Sequence, residues 1–401
     1  MAKSAKKAKG KRNGRPSRRR RSIFRRADVR ERVRAIIGED MHAKRVDSIA
    51  DAVTGVLEAA SVSIAAIGAG LAANDGLNPK HAIKQVDRLL SNDKLEVERA
   101  LVTWVRHAVG ARPSIVVAMD WTEFDRDDQS TIAISLLTKH GRATALVWKT
   151  VRKSELKDRR NEYEDSLVRE FLASLPAGVR VTLVADRGFG DQAFYEFLES
   201  NGVDFVIRFR ADILVSDGNG NTKAARDWLT SSGRAKVLRQ AAVTADKTPV
   251  PAVVLVHDKK MQEPWCLATT LRDANAREVI NLYGRRFKIE ETFRDQKDPR
   301  FGFGLAQVRI ANPLRRDRLL FICALAHALL TLLGAAGERV GLDRTLKANT
   351  VKRRVHSLFK QGLYWYRALP RMPKERLKKL MDAFNQIVKE HPVFRDAFGL
   401  V

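Results

Sequence analysis

From Val33 to Gly110, apolar positions recur every three or four residues, in "RVDSIADAVTGVLEAA", "NPKHAIKQVDRLL" and "KLEVERALVTWVRHAVG". That spacing predicts a small helical module, with Asn78 and Pro79 marking one helix start. At Arg112-Pro113 the pattern changes. "SIVVAMD" is a short apolar run closed by Asp120, and "TIAISLLTKHGRATALVWKTV" reads as two strands around a His140-Gly141-Arg142 turn. A helix "EYEDSLVREFLASLP", a buried strand "VTLVAD" closed by Asp186, a helix "DQAFYEFLES" and a strand "DFVIRF" follow. The order β-β-β-α-β-α-β argues for a mixed α/β layer. Residues 211–271 then break the alternation with strand-like runs and turns, a β-rich insertion. Beyond it lie a helix carrying "YGRRFKIEETFRDQK" (residues 283–297), an apolar run at 319–336 and a basic helical tail to 401.

The run "LLFICALAHALLTLLGAA" has the length of a membrane span. A buried core helix is the better reading, because a single span would leave a large basic protein unexplained and His327 and Thr331 suit a protein interior. Composition sharpens the picture. Lys and Arg number 74 against 47 Asp and Glu, a formal charge of +27 that points to a polyanion. Residues 1–26 alone hold five Lys and eight Arg ahead of the first acid, Asp28, and read as a disordered basic arm suited to phosphate. Two cysteines without a Cys-x-x-Cys argue against a disulfide framework or zinc cluster and for a reducing cytoplasm. No apolar run follows the charged N-terminus as a signal peptide would require, and no phosphate-binding G-x-x-x-x-G-K-[ST] loop supports ATP chemistry.

Candidate chemistry sits on two strands and one helix. Asp120 and Asp186, 66 residues apart, each close an apolar strand, where carboxylates can share a divalent cation. Either alone is as readily a turn former. In the helix, taking Tyr283 as zero, Arg286 falls at about 300°, Glu290 at about 340° and Lys297 at about 320°. Leu282, Ile289 and Phe293 flank this stripe on one side and Ile280 and Phe287 on the other, while Arg285, Lys288, Glu291 and Asp295 face elsewhere, towards solvent. A carboxylate so enclosed should be paired or metal-bound, since burying it bare costs several kcal/mol. Two readings remain: an Arg286–Glu290 ion pair one turn apart, or a third metal-binding carboxylate with cations and a phenol beside it to grip phosphate.

Tyr283-x₂-Arg286-x₃-Glu290-x₆-Lys297 resembles the Tyr-Arg-Glu-Lys signature of bacterial insertion-sequence transposases of the DDE class, insertion-sequence family four, which includes relatives of transposons five and ten. "VAMDWTEFD" and "VADRGFGD" look like that family's two Asp boxes, and "IEETFRDQKDPRFGFGL" like its third box. "KHAIKQVDRLL" and "ANTVKRRVHSL" are also similar, so the likeness runs from about residue 40 to the C-terminus.

The resemblance implies a ribonuclease H-like core interrupted by the β-rich insertion. The resulting organisation is a basic arm (1–26), a helical DNA-binding module (27–111), a core in two parts (112–210 and 272–338) around the insertion (211–271), and a C-terminal helical region (339–401). It implies Asp120, Asp186 and Glu290 as a catalytic triad holding two Mg²⁺ ions, which Mn²⁺ could replace, with Tyr283, Arg286 and Lys297 on DNA phosphates. Trp265, at the head of "WCLATTL", matches a tryptophan that stacks on a displaced base, and an ordinary core or edge tryptophan is an equally good reading. Expected partners are double-stranded DNA, at transposon ends and target, and a second copy of the chain in a homodimer, with no membrane. The expected location is the bacterial cytoplasm, at the nucleoid. The expected activity is cut-and-paste transposition through a DNA hairpin. A ribonuclease H-like nuclease or resolvase without strand transfer, or an inert DNA-binding regulator, remains the alternative.

Overall fold

Five helices precede the first strand: α1 (Arg26–Ile37), α2 (Ala43–Ala59), α3 (Ile64–Asp75), α4 (Pro79–Leu90) and α5 (Val97–Val109). The structure is a computed structural model and describes residues 26–38, 41–138 and 141–389. The expected arm therefore lies outside the described residues except for Arg26, which begins α1 and pairs with buried Asp51 on α2. His140 of the expected turn is outside them too. Asn78 caps α4, accepting the Lys80 N–H at 3.0 Å, and Pro79 occupies the first turn where no donor is needed. Glycines let α2, α3 and α4 approach closely. A Cβ on Gly55 would lie 2.3 Å from the Ile67 carbonyl oxygen, and one on Gly68 would lie 2.5 Å from the Ile83 Cα.

The strands form one ten-stranded sheet ordered β3-β2-β1-β4-β5-β10-β9-β8-β6-β7. Its first half is β1 (Ser114–Phe124), β2 (Gln129–Leu137), β3 (Ala143–Arg152), β4 (Arg180–Ala185) and β5 (Asp204–Phe209), interleaved with α6 (Arg160–Ser174) and α7 (Gln192–Ser200). β1, β2 and β3 are antiparallel neighbours, while β4 lies parallel to both β1 and β5. This mixed α/β layer is consistent with the expected ribonuclease H-like core. The stretch from 211 to 271 folds as β6 (Leu214–Ser216), β7 (Thr222–Ala224), β8 (Lys236–Val243), β9 (Thr248–Val256) and β10 (Trp265–Thr269). These strands do not stand apart: β10 pairs antiparallel with β5, so they extend the same sheet.

Alternation assigns the two sheet faces. Ala118, Val184, Val206 and Leu267 pack beneath α8 (Ala276–Gly284) and α9 (Phe287–Lys297). Val117, Met119, Leu183 and Phe205 face the other way, into the larger core. The 319–336 run lies within α10 (Pro313–Arg339), and 94% of its most apolar 18-residue stretch is buried inside the protein. It packs against α11 (Leu358–Ala368) and α12 (Lys374–Lys389), as well as α2 and β3. The α10–α11 crossing is close because Gly334 and Gly362 face each other's backbones. A Cβ on Gly362 would fall 1.7 Å from the Leu330 carbonyl oxygen, and one on Gly334 would fall 1.9 Å from that of Leu358. Gly362→Ala should force the helices apart and destabilise the protein by about 1–3 kcal/mol. Thermal melts against Lys379→Ala, an exposed control on α12, measure this; equal midpoints would show that the crossing tolerates a methyl.

Candidate active site

Asp120 and Asp186 are brought together by strand register. The parallel β1–β4 ladder ends at Met119 opposite Ala185, so the next residue on each chain is the aspartate. Both have the parity of Ala118 and Val184, which puts them on the face covered by α9. β4 stops there, with Asp186 capping the following turn by accepting the Gly188 N–H at 2.8 Å. β1 does not stop, contrary to the expectation that Asp120 closes its strand. It runs on through polar Thr122 and Glu123 to Phe124 because β2 continues to pair with it. Asp120 therefore sits mid-strand, where one neighbour leaves and the other stays.

The helix expected to carry the Tyr-Arg-Glu-Lys stripe is two helices. α8 starts with a reciprocal Asn275–Glu278 capping box and ends at Gly284. Across the junction the hydrogen bonds tighten to three-residue spacing, with Arg286 N–H on the Tyr283 carbonyl (2.9 Å) and Lys288 N–H on that of Arg285 (3.1 Å). α9 is then docked along β1 and β3. Thr292 Oγ1 accepts the Ala143 N–H at 2.9 Å, Arg142 pairs with Asp295, and Lys288 Nζ donates to the Thr138 carbonyl. Four expectations about this helix change as a result. Asp295 is buried and Lys288 half-buried rather than solvent-facing, while Phe287 is 44% exposed rather than an enclosing flank. Glu290 is not enclosed either; its side chain is 49% exposed.

Arg286 joins the acids. Its guanidinium is buried, donates to Glu290 Oε1 at 2.6 Å and lies 3.3 Å from Asp120 Oδ2. The ion-pair reading of the helix therefore holds, extended to a second carboxylate. Burial pushes the Asp120 carboxyl up to about 6; Arg286 pulls it down, and the charges of Asp186 and Glu290 push it up again. Asp120 therefore lies within electrostatic reach of both Asp186 and Glu290. The three acids suit a divalent cation as hard oxygen donors. As the side chains stand, though, no three such groups among the described residues are gathered into a metal cage, because the guanidinium lies between two of them.

The remaining predicted residues surround this centre. Tyr283 is buried beside Arg286, and burial raises its hydroxyl above the usual range. Trp265, partly buried at the start of β10, meets the Tyr283 ring edge-on at 4.8 Å. Lys297 lies further along, where Nζ donates to the Glu123 carbonyl (2.6 Å) and to Thr122 Oγ1 (3.1 Å); burial lowers its pKa. α9 and β1 run in the same direction, so Lys297 sits about 10 Å beyond Glu290. Phe287 is a neighbour that the pattern reading treated only as packing. It is exposed, 5.0 Å from the Arg286 guanidinium and 6.2 Å from the Trp265 ring.

Comparison with known proteins gives one family. The family model described as "Transposase DDE domain" matches residues 113–329, more than half of the chain, from just before β1 into α10. No curated protein matches the chain.

Beneath the site, on the opposite sheet face, Glu164 of α6 supports the neighbour of Asp120. Glu164 accepts the Trp121 indole N–H at 2.7 Å and an Arg160 N–H at 3.3 Å, and the Arg160 guanidinium lies over the indole ring. Only the alternation of Asp120 and Trp121 hinted at such a support. Burial pushes the Glu164 carboxyl up to about 7 despite both donors. Between its unfolded value near 4.5 and about 7 the folded protein holds a proton that the unfolded chain has lost, so stability falls as pH rises through that window. Glu164→Gln should flatten this fall, which amounts to a few kcal/mol at most. Denaturant melts at pH 5 and pH 7.5 test it, and an unchanged difference would exclude Glu164 as its source.

Proposed function

The chain belongs to the transposase DDE domain family and is a metal-dependent DNA-cleaving enzyme, and we propose that Asp120, Asp186 and Glu290 are its catalytic carboxylates. One observation carries this reading. Strand parity and register aim both aspartates at the face where α9 brings Glu290, and Arg286 links Glu290 to Asp120. The three acids would hold the divalent ions, Mg²⁺ with Mn²⁺ as a substitute. When bound, such ions activate an attacking oxygen and stabilise the leaving one.

The chain's own residues position the DNA. Arg286 and Tyr283 grip the phosphate at the break, while Lys297 takes a phosphate one or two nucleotides away along α9. Trp265, edge-on to Tyr283, offers a surface for a base displaced from the stack, worth about 1–3 kcal/mol per base. The order of events is nicking at a transposon end, attack of the freed 3′-hydroxyl on the opposite strand to give a hairpin, hairpin opening and joining to target DNA. A dimer bridges the two ends, as in insertion-sequence transposases of family four.

End binding is assigned to the N-terminal helices, and α4 is their DNA-facing element. Ala82, Val86 and Leu89 face inward, leaving Lys80, His81, Lys84 and Arg88 exposed. His81, Lys84 and Arg88 share an open groove with Arg45 of α2.

Two tests follow. Asp120→Asn, Asp186→Asn and Glu290→Gln should each abolish Mg²⁺-dependent nicking of a labelled end fragment while leaving its binding nearly intact. Near-normal nicking by any one removes that residue from the triad, and failure of the wild type to join a pre-cut end to target DNA would favour a nuclease. Lys84→Ala with Arg88→Ala should weaken DNA binding and lower the slope of log affinity against log salt by about 2. Nicking at saturating DNA should persist; an unchanged slope would take α4 off the DNA.

A further inference from the structure

We propose that Arg286 is a displaceable cation that keeps divalent metal off the acids until a DNA phosphate draws it away, an inference that rests on Asp120 and Glu290 being metal ligands. Asp120 and Glu290 would hold a divalent ion through the carboxylate oxygens that the two Nη atoms of Arg286 now engage. At 2.6 Å from Glu290 and 3.3 Å from Asp120, the guanidinium uses the same lone pairs. Metal and Arg286 therefore compete.

The site also contains the means of release. Arg286 Nε is buried and without a hydrogen-bond partner, so the guanidinium holds a donor that its carboxylates leave unused. A phosphate can take two parallel N–H donors at once, which point contacts to two separate acids do not allow. Glu290 is half-exposed, so the Arg286–Glu290 pair borders solvent on the Glu290 side. Arg286 also lies at the α8–α9 junction, with its guanidinium carbon 5.9 Å from the Tyr283 ring centre and 5.0 Å from that of Phe287. DNA and metal then favour each other's binding, and that coupling is reciprocal. An enzyme built this way is poor at loading metal until a DNA end is in place.

Mn²⁺ titration of the full-length, DNA-free protein, followed by electron paramagnetic resonance of the free ion, tests this. Arg286→Gln should bind Mn²⁺ about tenfold or more tighter than the wild type, and Asp120→Asn added to it should remove the gain. Lys297→Gln removes a nearby charge without clearing the space between the carboxylates, and should change affinity less than about threefold. Arg286→Met keeps the packed stem and stands in for Gln should that variant melt early. Equal affinities for wild type and Arg286→Gln, both lost with Asp120→Asn, would overturn the displacement idea and leave the triad standing. A gain that survives Asp120→Asn would instead sink the metal-ligand reading on which the idea rests. A Lys297→Gln gain as large as that of Arg286→Gln would reduce the effect to general charge and overturn the proposal.

Discussion

A helix that is apolar on every side has no stable place at a surface, and the burial of α10 is the constraint around which the rest is arranged. Its covering comes from distant parts of the chain: α2 from the N-terminal helices, β3 from the sheet, α11 and α12 from the C-terminal region. Gly334 and Gly362 set how close α11 comes. Each region buries apolar surface it could not cover alone, so N-terminal helices, sheet and C-terminal helices share one hydrophobic core. Length and hydropathy alone cannot separate such a helix from a membrane span; what covers it does.

The active site meets a different constraint, repulsion among carboxylates partly withdrawn from water. Burial works against the charge of Arg286 as well, yet Tyr283, Asp120, Glu290 and Asp186 together hold its pKa above the usual value. The acids and the guanidinium thus stabilise one another's charged forms, which neither could keep as cheaply alone. In this structure the cation that sits between Asp120 and Glu290 is Arg286.

What the sequence disclosed follows the range of the interactions involved. The apolar runs ending at Asp120 and Asp186 are local, and so the acids were legible; their shared face followed only once register was known, since parity does not say which strands pair. The strands of 211–271 were legible as strands, but the β5–β10 ladder that makes them part of the main sheet joins residues about 60 positions apart. The α8–α9 break was hidden because Arg285 and Arg286 keep helical dihedrals while their hydrogen bonds shift by one residue. Asp295 looked solvent-facing on an unbroken helix. It is neutralised instead by Arg142, 153 residues earlier, a pairing with no local signature.

The first turn of α10 connects the two ends of this machinery. Arg315 reaches Asp87 at 2.6 Å, and Arg318 donates to the Leu90 carbonyl at 2.9 Å, so the C-terminal end of α4 is held by guanidinium groups that suit the carbonyl-rich end of a helix. The residues between them turn towards the sheet. Asp317 accepts from Thr150 on β3, and Arg316, fully buried, bonds Gln129 at 2.6 Å, pairs with Asp127 and lies 3.9 Å from the Phe124 ring at the end of β1. Four consecutive residues therefore fix the basic face of α4 relative to the strand that carries Asp120. Breaking a buried ion pair such as Arg316–Asp127 costs about 3–5 kcal/mol, so this link is stiff compared with an exposed tether. The exposed basic face of α4 is thereby held at a distance from the Asp120 strand that the start of α10 sets.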